Sequence, residues 1–137
     1  MTAPNARAVE RERIARFLSA PVFAVLGASA DPHKYGYKVL AAYLQHGKRA
    51  YPINPRAEEI LGLRCYPNLS ALPETVTAVS CVTPPAVTAE LMDDAANAGA
   101  RIVWMQPGAE SPAAIAKAQA LGLEVIAGGA CVLVELT

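Results

Sequence analysis

The stretch from Val22 to Val39, VFAVLGASADPHKYGYKV, constrains the fold of this 137-residue chain more than any other. It begins with an apolar run between Pro21 and Gly27 that has the length of a buried strand. A turn of small residues follows, and a stretch with helical periodicity starts near Tyr37. A strand, a glycine turn and a helix in this order place backbone N–H groups where they can hold a phosphate. We therefore predict a nucleotide-phosphate site at this turn.

The rest of the chain alternates strands and helices in the same way. A helix with Asn5 as its N-cap is predicted over 5–18, strands over 22–26, 48–53, 78–83, 101–105 and 123–127, and further helices over 37–45, 84–98 and 112–121. Residues 58–61 are expected to form a helical turn and 62–67 an extended return. The tail, 131–136, is expected to form a sixth short strand or a turn packed against the sheet. This order indicates a three-layer, doubly wound α/β fold whose sheet is mainly parallel.

Length and composition indicate one domain, residues 1–137, made of an N-terminal helix (1–20) and a nucleotide-binding core (21–137). The apolar fraction of 53% fits central strands that are covered on both faces. The formal net charge is zero, which gives no reason to expect a nucleic-acid or membrane partner. The charged N-terminus lacks a secretory apolar core, so a cytoplasmic location is expected. The three cysteines lack zinc-site spacing and are interpreted as buried reduced thiols.

Charge is distributed unevenly along the chain. Residues 32–56 contain five basic residues and no acidic one, whereas 74–135 contain seven carboxylates and two basic residues. Ligands of doubly wound sheets bind at the carboxyl ends of the strands, which selects the loops 27–36, 54–57, 83–85 and 106–108. Because phosphates need cations as well as N–H donors, Lys34, Lys38 and Arg56 are expected to contact the ligand. Lys48 and Arg49 are assigned to solvent.

The second strand helps to distinguish between nucleotides. The NAD fingerprint requires a second turn glycine and an acidic residue about 20 positions further on. Here the turn reads GASAD and the second strand ends in Asn54-Pro55-Arg56, without a carboxylate. A cation at that position suits an extra ribose phosphate, as in NADP or coenzyme A.

Four segments carry a family resemblance: VLGASADPHKYGYKVLAAYLQHGKRAYPINP, GLRCYPNLSALP, VTPPAV and IVWMQPGA. In this order they resemble the small stand-alone CoA-binding proteins, whose Rossmann-like domain is similar to that of the succinyl-CoA synthetase alpha subunit. The resemblance spans about 22–135. One departure is Gly129-Ala130-Cys131, where many relatives have Asp-Arg-Cys.

The resemblance implies coenzyme A, or an acyl-CoA, as cofactor. Carried over residue by residue, it implies a binding site made of Gly27, Ala28, Ser29, Lys34, Tyr35, Gly36, Lys38, Asn54, Pro55, Arg56, Thr83, Pro84, Pro85, Gln106 and Gly108.

No complete active site is visible in the sequence. These 137 residues are not expected to include the phosphohistidine domain of the ligases, and neither His33 nor Ser29 has the neighbours of a catalytic base or nucleophile. The predicted function is therefore a non-catalytic carrier, sensor or regulatory module that binds coenzyme A. Two alternatives stay open: an NADP-type nucleotide-binding protein or oxidoreductase fragment, and a subunit that is active only with a partner chain.

Overall fold

The computed structural model describes residues 5–136, so residues 1–4 and 137 of the predicted domain lie outside the described range. The helices are α1 (Ala6–Leu18), α2 (Tyr35–Gln45), α3 (Pro85–Asn97), α4 (Pro112–Ala120) and α5 (Val132–Glu135). The strands are β1 (Val22–Leu26), β2 (Arg49–Ile53), β3 (Glu59–Ile60), β4 (Leu63–Arg64), β5 (Ala78–Cys81), β6 (Ile102–Met105) and β7 (Glu124–Ile126). Within this part of the chain, no helix combines the length and apolarity that a membrane span needs.

Five strands form one parallel sheet in the order β2-β1-β5-β6-β7, and β3 and β4 form a separate hairpin. Strand β1 is central: Val25 pairs with Pro52 on one side and with Ser80 on the other. The sequence-based prediction of a mainly parallel, doubly wound sheet with an N-terminal helix is thus confirmed. The fold is Rossmann-like.

Each face of the sheet carries its own apolar core. Phe23 and Val25 of β1 point to the layer formed by α1, α2 and α5, whereas Val22, Ala24 and Leu26 point to the layer formed by α3 and α4. All five are buried, because a central parallel strand has helices on both faces. This explains why the strand reads as a continuous apolar run.

An aromatic cluster holds α1 and α2 to the sheet. Phe23 stacks on Tyr43 with ring centroids 4.6 Å apart, and Phe17 meets Trp104 edge to face at 5.2 Å. The Tyr43 hydroxyl hydrogen-bonds the Ser80 hydroxyl at 2.5 Å, which satisfies the polar atoms of both buried residues. Trp104 is therefore a core residue.

The hairpin is where the sequence-based prediction is wrong. The pattern predicts a helical turn over 58–61, but Glu59 and Ile60 form β3 and pair with Arg64 and Leu63. The two-residue turn Leu61-Gly62 has positive φ at both positions, 52° and 78°. These signs match the hairpin turns that suit twisted strands. The usual sequence signal for such a turn is Asn-Gly, and leucine rarely adopts a positive φ. Leu61-Gly62 therefore does not predict a hairpin from the sequence.

The tail does not form a sixth strand. It forms one turn of helix, Val132–Glu135, that packs against α2, and Val132 is buried in the core on that face of the sheet. Two side chains hold this tail, Trp104 of β6 and Gln106, which follows that strand. Trp104 Nε1 donates to the Ala130 carbonyl at 3.0 Å, and the Val132 N–H donates to Gln106 Oε1 at 2.9 Å.

Helix α1 contacts β7, the last strand at this edge of the sheet. Arg16 donates through Nη1 and Nη2 to the two carboxylate oxygens of Glu124, at 2.7 and 2.9 Å. Arg13 Nη1 donates to the Val125 carbonyl at 3.5 Å, so one backbone group of the edge strand has a side-chain partner.

The start of α2 lies in direct contact with the glycine turn. A Cβ atom placed on Gly36 would lie 2.0 Å from the Gly27 carbonyl oxygen, which is backbone and cannot swing away as a side chain can. Gly27 has φ of 86°, which favours glycine, and a Cβ there would lie 3.0 Å from the Val82 carbonyl carbon. Close approach of the backbone therefore requires glycine at both positions, and at Gly27 the positive φ adds to this requirement.

Substituting Gly36 with alanine tests this contact. Helix propensity alone predicts a gain of about 1 kcal/mol, whereas overpacking against Gly27 predicts a loss of about 1–3 kcal/mol. We expect the loss of stability, measured as a lower free energy of unfolding in urea.

Gly47→Ala is the matched control: its φ is 72° and no atom lies within 4 Å of the added Cβ, so only conformational strain of about 1–2 kcal/mol is expected. A more stable Gly36→Ala protein would contradict the close contact.

The Arg16–Glu124 pair predicts a pH dependence. Hydrogen bonds from Arg16 hold the pKa of Glu124 below its ordinary value. A carboxylate with a lowered folded-state pKa stabilises the fold above its unfolded-state pKa, and this contribution disappears as the pH falls through the folded-state pKa. We expect Glu124→Gln to lower the melting temperature slightly at pH 7 and the difference from wild type to close below about pH 4. Circular dichroism melts at both pH values, with Glu90→Gln as an exposed-carboxylate control, would measure it. A difference that persists in acid would contradict this role.

Candidate functional site

The strand order creates a crevice beside β1. The chain runs from β1 through α2 to β2 on one side, and β5 lies on the other side of β1. The loops that follow β1 and β5 therefore separate at the carboxyl end of the sheet, which is where ligands bind in folds of this kind. Residues 27–34 and 82–84 form the two sides of this opening.

The glycine turn is held by its own hydrogen bonds. The Gly27 N–H donates to the Ile53 carbonyl at 3.1 Å, which fixes the turn to β2. Within the turn, the Asp31 N–H donates to Ser29 Oγ at 3.1 Å, and the His33 N–H donates to Asp31 Oδ1 at 2.9 Å. Among the hydrogen bonds that the described residues make here, none uses the N–H groups of residues 28–30.

Helix α2 adds further N–H groups to the same place. Lys34 is its N-cap residue and supplies no side-chain cap, so the N–H groups of the first turn lack a side-chain acceptor. The helix dipole makes this end partly positive. Because Gly36 touches the Gly27 carbonyl, the helix end and the turn lie directly against each other.

Asn54 ties the second loop to the first. Its Nδ2 donates to the Ala28 carbonyl at 2.8 Å, and its Oδ1 accepts a hydrogen bond from the Arg56 N–H at 2.8 Å. The Asn54 N–H donates to the Tyr66 carbonyl, which links the hairpin region to the same point. Asn54 therefore fixes the direction of the Ala28 peptide as well as lining the crevice.

Two adjoining crevices occupy this edge of the sheet, each of about 350 Å³. The first is lined by Gly27, Ala28, Ser29, Lys34, Tyr35, Gly36, Asn54, Val82, Thr83 and Pro84. The second is lined by Tyr35, Val82, Thr83, Pro84, Pro85, Pro107, Gly108 and Ala109. They share Tyr35 and residues 82–84, so the Tyr35 side chain lies between the turn and an apolar wall.

The Tyr35 hydroxyl contacts the Cys131 sulfur, which belongs to the loop before α5. Burial, together with this hydrogen bond, raises the pKa of Tyr35 well above its usual value. The hydroxyl therefore stays neutral near pH 7. The Thr83 hydroxyl is also paired internally, with the Thr88 hydroxyl at 2.7 Å.

Eleven of the fifteen residues predicted from the sequence line these two crevices, and four do not: Lys38, Pro55, Arg56 and Gln106. Lys38 in α2 and Pro55 in the loop after β2 are exposed. The Arg56 side chain is also exposed, and its backbone N–H is held by Asn54. In the described part of the chain, neither Lys34 nor Arg56 takes part in an ion pair, so both cations are available to a ligand.

Gln106 does not face the crevice. It is 0% exposed, its Oε1 accepts from Val132, and its Nε2 has no hydrogen-bond partner among the described residues. A buried donor without an acceptor costs about 1–3 kcal/mol, which makes this amide unusual. Sequence reasoning missed Val82 and Ala109, which line the walls, and it placed Cys131 among the buried thiols.

Other regions offer less to a phosphate. A groove of about 610 Å³ lies between α1, α4 and β7, away from the glycine turn, and its lining combines Arg7, Glu10 and Arg13 with apolar side chains. Within residues 5–136, no group of three or more His, Cys, Asp or Glu side chains is placed to hold a metal ion.

Comparison with known proteins supports the resemblance. The family model described as a CoA binding domain matches residues 21–137. The chain is 35% identical over 78 residues to the ADP-forming acetate–CoA ligase II of Archaeoglobus fulgidus, which covers 56% of this chain and 12% of the ligase. It therefore spans only a small part of that relative.

Solved structures include both a stand-alone and a multidomain neighbour. A conserved hypothetical protein from Pyrococcus furiosus is 38% identical, with a TM-score of 0.78 over 82% of this chain and 97% of its own. The dinucleotide-forming acetyl-coenzyme A synthetase 1 of Ca. Korarchaeum cryptofilum, in complex with phosphate and ADP, is 31% identical, with a TM-score of 0.74 over 83% of this chain and 27% of the synthetase. The family inferred from the sequence is thus confirmed, and the chain belongs to the CoA binding domain family.

Proposed function

We propose that this chain binds coenzyme A or an acyl-CoA at the crevice between the glycine turn and the β5–α3 loop, as a carrier, sensor or regulatory module. One observation carries the proposal: the uncapped end of α2 lies directly against a turn whose N–H groups at residues 28–30 have no partner among the described residues. A diphosphate accepts several hydrogen bonds at once, so it can satisfy donors from both elements.

The cations at the rim suit the remaining charge of the ligand. A helix end alone contributes only about 0.3–1 kcal/mol per exposed charge, so a multiply charged ligand needs side-chain cations as well. Lys34 lines the crevice and Arg56 lies exposed at its second loop. We assign the diphosphate to the turn with Lys34 and the extra ribose phosphate to the loop with Arg56.

A second candidate function is supported by the comparisons. The chain spans 12% of the Archaeoglobus fulgidus ligase and 27% of the Korarchaeum synthetase. In those proteins the matching part is one section of a larger enzyme, so this chain would act as a CoA-binding subunit that is completed by a partner. Both candidates require the same CoA site.

A ligand panel tests the proposed cofactor. We expect coenzyme A and acetyl-CoA to raise the melting temperature, because a ligand at 100 times its dissociation constant adds about 2.7 kcal/mol of stability. NAD should have no effect, because Asn54-Pro55-Arg56 offers its ribose hydroxyls no carboxylate. Dephospho-CoA, which lacks the ribose phosphate, should give a smaller shift than coenzyme A. Stabilisation by NADPH without stabilisation by coenzyme A would favour the NADP alternative instead.

Removing the rim cations tests the site. We expect Lys34→Ala and Arg56→Ala each to weaken CoA binding about tenfold or more, since a hydrogen bond to a charged group contributes about 1.5–3 kcal/mol. Isothermal titration calorimetry would measure the dissociation constants. Unfolding stability should stay close to wild type, because both side chains are exposed.

Lys48→Ala is the matched control, because Lys48 lies beside β2 and lines a different crevice. It should leave CoA affinity nearly unchanged. If Lys34→Ala and Arg56→Ala bind coenzyme A as tightly as the Lys48→Ala control, neither cation belongs to the site.

A further inference from the structure

A groove opens between β2, which is an edge strand, and the β3–β4 hairpin. The Tyr66 N–H donates to the Pro52 carbonyl at 3.0 Å and the Asn54 N–H donates to the Tyr66 carbonyl at 2.9 Å, so the chain after β4 runs beside β2. Pro52 has no N–H for the next bond of this ladder, and β4 pairs with β3 instead. The resulting space of about 300 Å³, here called the hairpin groove, has an apolar lining that includes Leu44, Ala50, Pro52 and Leu63.

The charged residues that line the hairpin groove are all cations: Lys48, Arg49 and Arg64. Arg49 is paired with Glu74. Lys48 and Arg64 take part in no ion pair within residues 5–136, and the Arg64 guanidinium lies 5.1 Å from the centre of the Tyr66 ring. An apolar groove with two cations that lack anionic partners is complementary to an apolar side chain flanked by carboxylates.

The tip of the hairpin carries an exposed apolar side chain. Leu61 is 40% exposed and its φ is 52°. This conformation is unfavourable for a residue with a Cβ atom, and asparagine or glycine is usual at such a position. Because the Leu61 side chain is so exposed, packing within the chain does little to offset this disadvantage. Its apolar surface is therefore available to a partner.

Two carboxylates accompany Leu61 on the hairpin. Glu58 and Glu59 are exposed, and neither takes part in an ion pair in the described part of the chain. Glu59 is the register partner of Arg64, but the Arg64 guanidinium lies over the Tyr66 ring and makes no ion pair with this carboxylate. The hairpin thus carries the apolar side chain and the anions that the neighbouring groove is suited to receive.

We propose that the hairpin and the hairpin groove form a self-complementary surface through which two copies of this chain associate about a two-fold axis. Leu61 of each copy enters the hairpin groove of the other, and Glu59 of each copy lies against Lys48 of the other. A two-fold interface repeats every contact in both directions, so one arrangement fills both grooves. A different partner would have to bring its own apolar side chain and carboxylates, whereas this chain already carries them beside the groove.

Sedimentation velocity of the full chain tests the association. Interfaces below about 1,200 Å² are typical of transient pairs, and the hairpin is a small contact surface. We therefore expect the mass to rise from one chain toward two between about 1 μM and about 1 mM protein. Leu61→Asn should abolish this rise and leave the melting temperature unchanged or higher, because asparagine tolerates a positive φ. A role of Leu61 in the monomer alone predicts no change in mass.

Exchanging the charges tests the contact between the two copies. Lys48→Glu and Glu59→Lys each place like charges together, so each variant alone should stay monomeric. Mixed in equal amounts, the two variants should form a dimer, because both contacts of the mixed pair again join opposite charges. Glu90→Lys is the matched control, since Glu90 is an exposed carboxylate of α3. It should dimerise as wild type does.

Three results would overturn the proposal: a wild-type chain that stays monomeric up to about 1 mM, a dimer that Leu61→Asn leaves intact, or a mixture of the charge variants that stays monomeric. Where Glu59→Lys folds poorly in circular dichroism melts, the Leu61→Asn result decides, because that substitution suits the backbone. Leu61, Glu59 and Lys48 line neither CoA crevice. Failure of the dimer therefore leaves the proposed CoA site unaffected.

Discussion

The contact between the Gly27 carbonyl and the Gly36 backbone governs the geometry of the site. A Cβ at Gly36 would lie 2.0 Å from the Gly27 carbonyl oxygen. The first turn of α2 can therefore take this position only because residue 36 has no side chain. The helix end therefore lies directly against the turn that follows β1. Two ladder bonds hold this turn in place, from the Gly27 N–H to the Ile53 carbonyl and from the Val82 N–H to the Leu26 carbonyl. Any shift in the register of β1 would move the N–H groups on which the proposed phosphate binding depends.

Much of the fold follows from patterns that are local in the sequence. Apolar runs of strand length predict the ends of the five parallel strands to within about two residues. The run of β1, for example, lies between Pro21 and Gly27. Asn5 and Ser111 predict helix starts because their side chains cap the following N–H groups, as the structure shows at 2.8 and 3.0 Å. The hairpin escapes such reasoning, because Leu61 adopts a positive φ that its residue type does not announce.

The features of the candidate site that could not be predicted from the sequence depend on tertiary contacts. The turn residues can be predicted because one loop brings them together, whereas the contact of Tyr35 with Cys131 joins two ends of the chain. Gln106 follows β6 at the correct edge of the sheet, but its side chain turns inward to hold Val132. A residue's position at the edge can be read from strand order. The side to which its side chain points depends on packing that no spacing rule specifies.

The crevice changes from positive to uncharged along its length. The far wall, which includes Val82, Pro84, Pro107 and Ala109, carries no charged side chain, while Lys34 and the helix end make the near wall positive. Gly129-Ala130, where many relatives have an acidic–basic pair, lines neither crevice, and the tail is held there through neutral bonds, from Trp104 to Ala130 and from Val132 to Gln106. A ligand with a charged nucleotide and an uncharged arm matches this gradient, whereas a dinucleotide such as NADP would place its second polar half against proline and alanine side chains. The uncharged far wall thus supports the proposal of coenzyme A over NADP, on grounds independent of the missing carboxylate after β2.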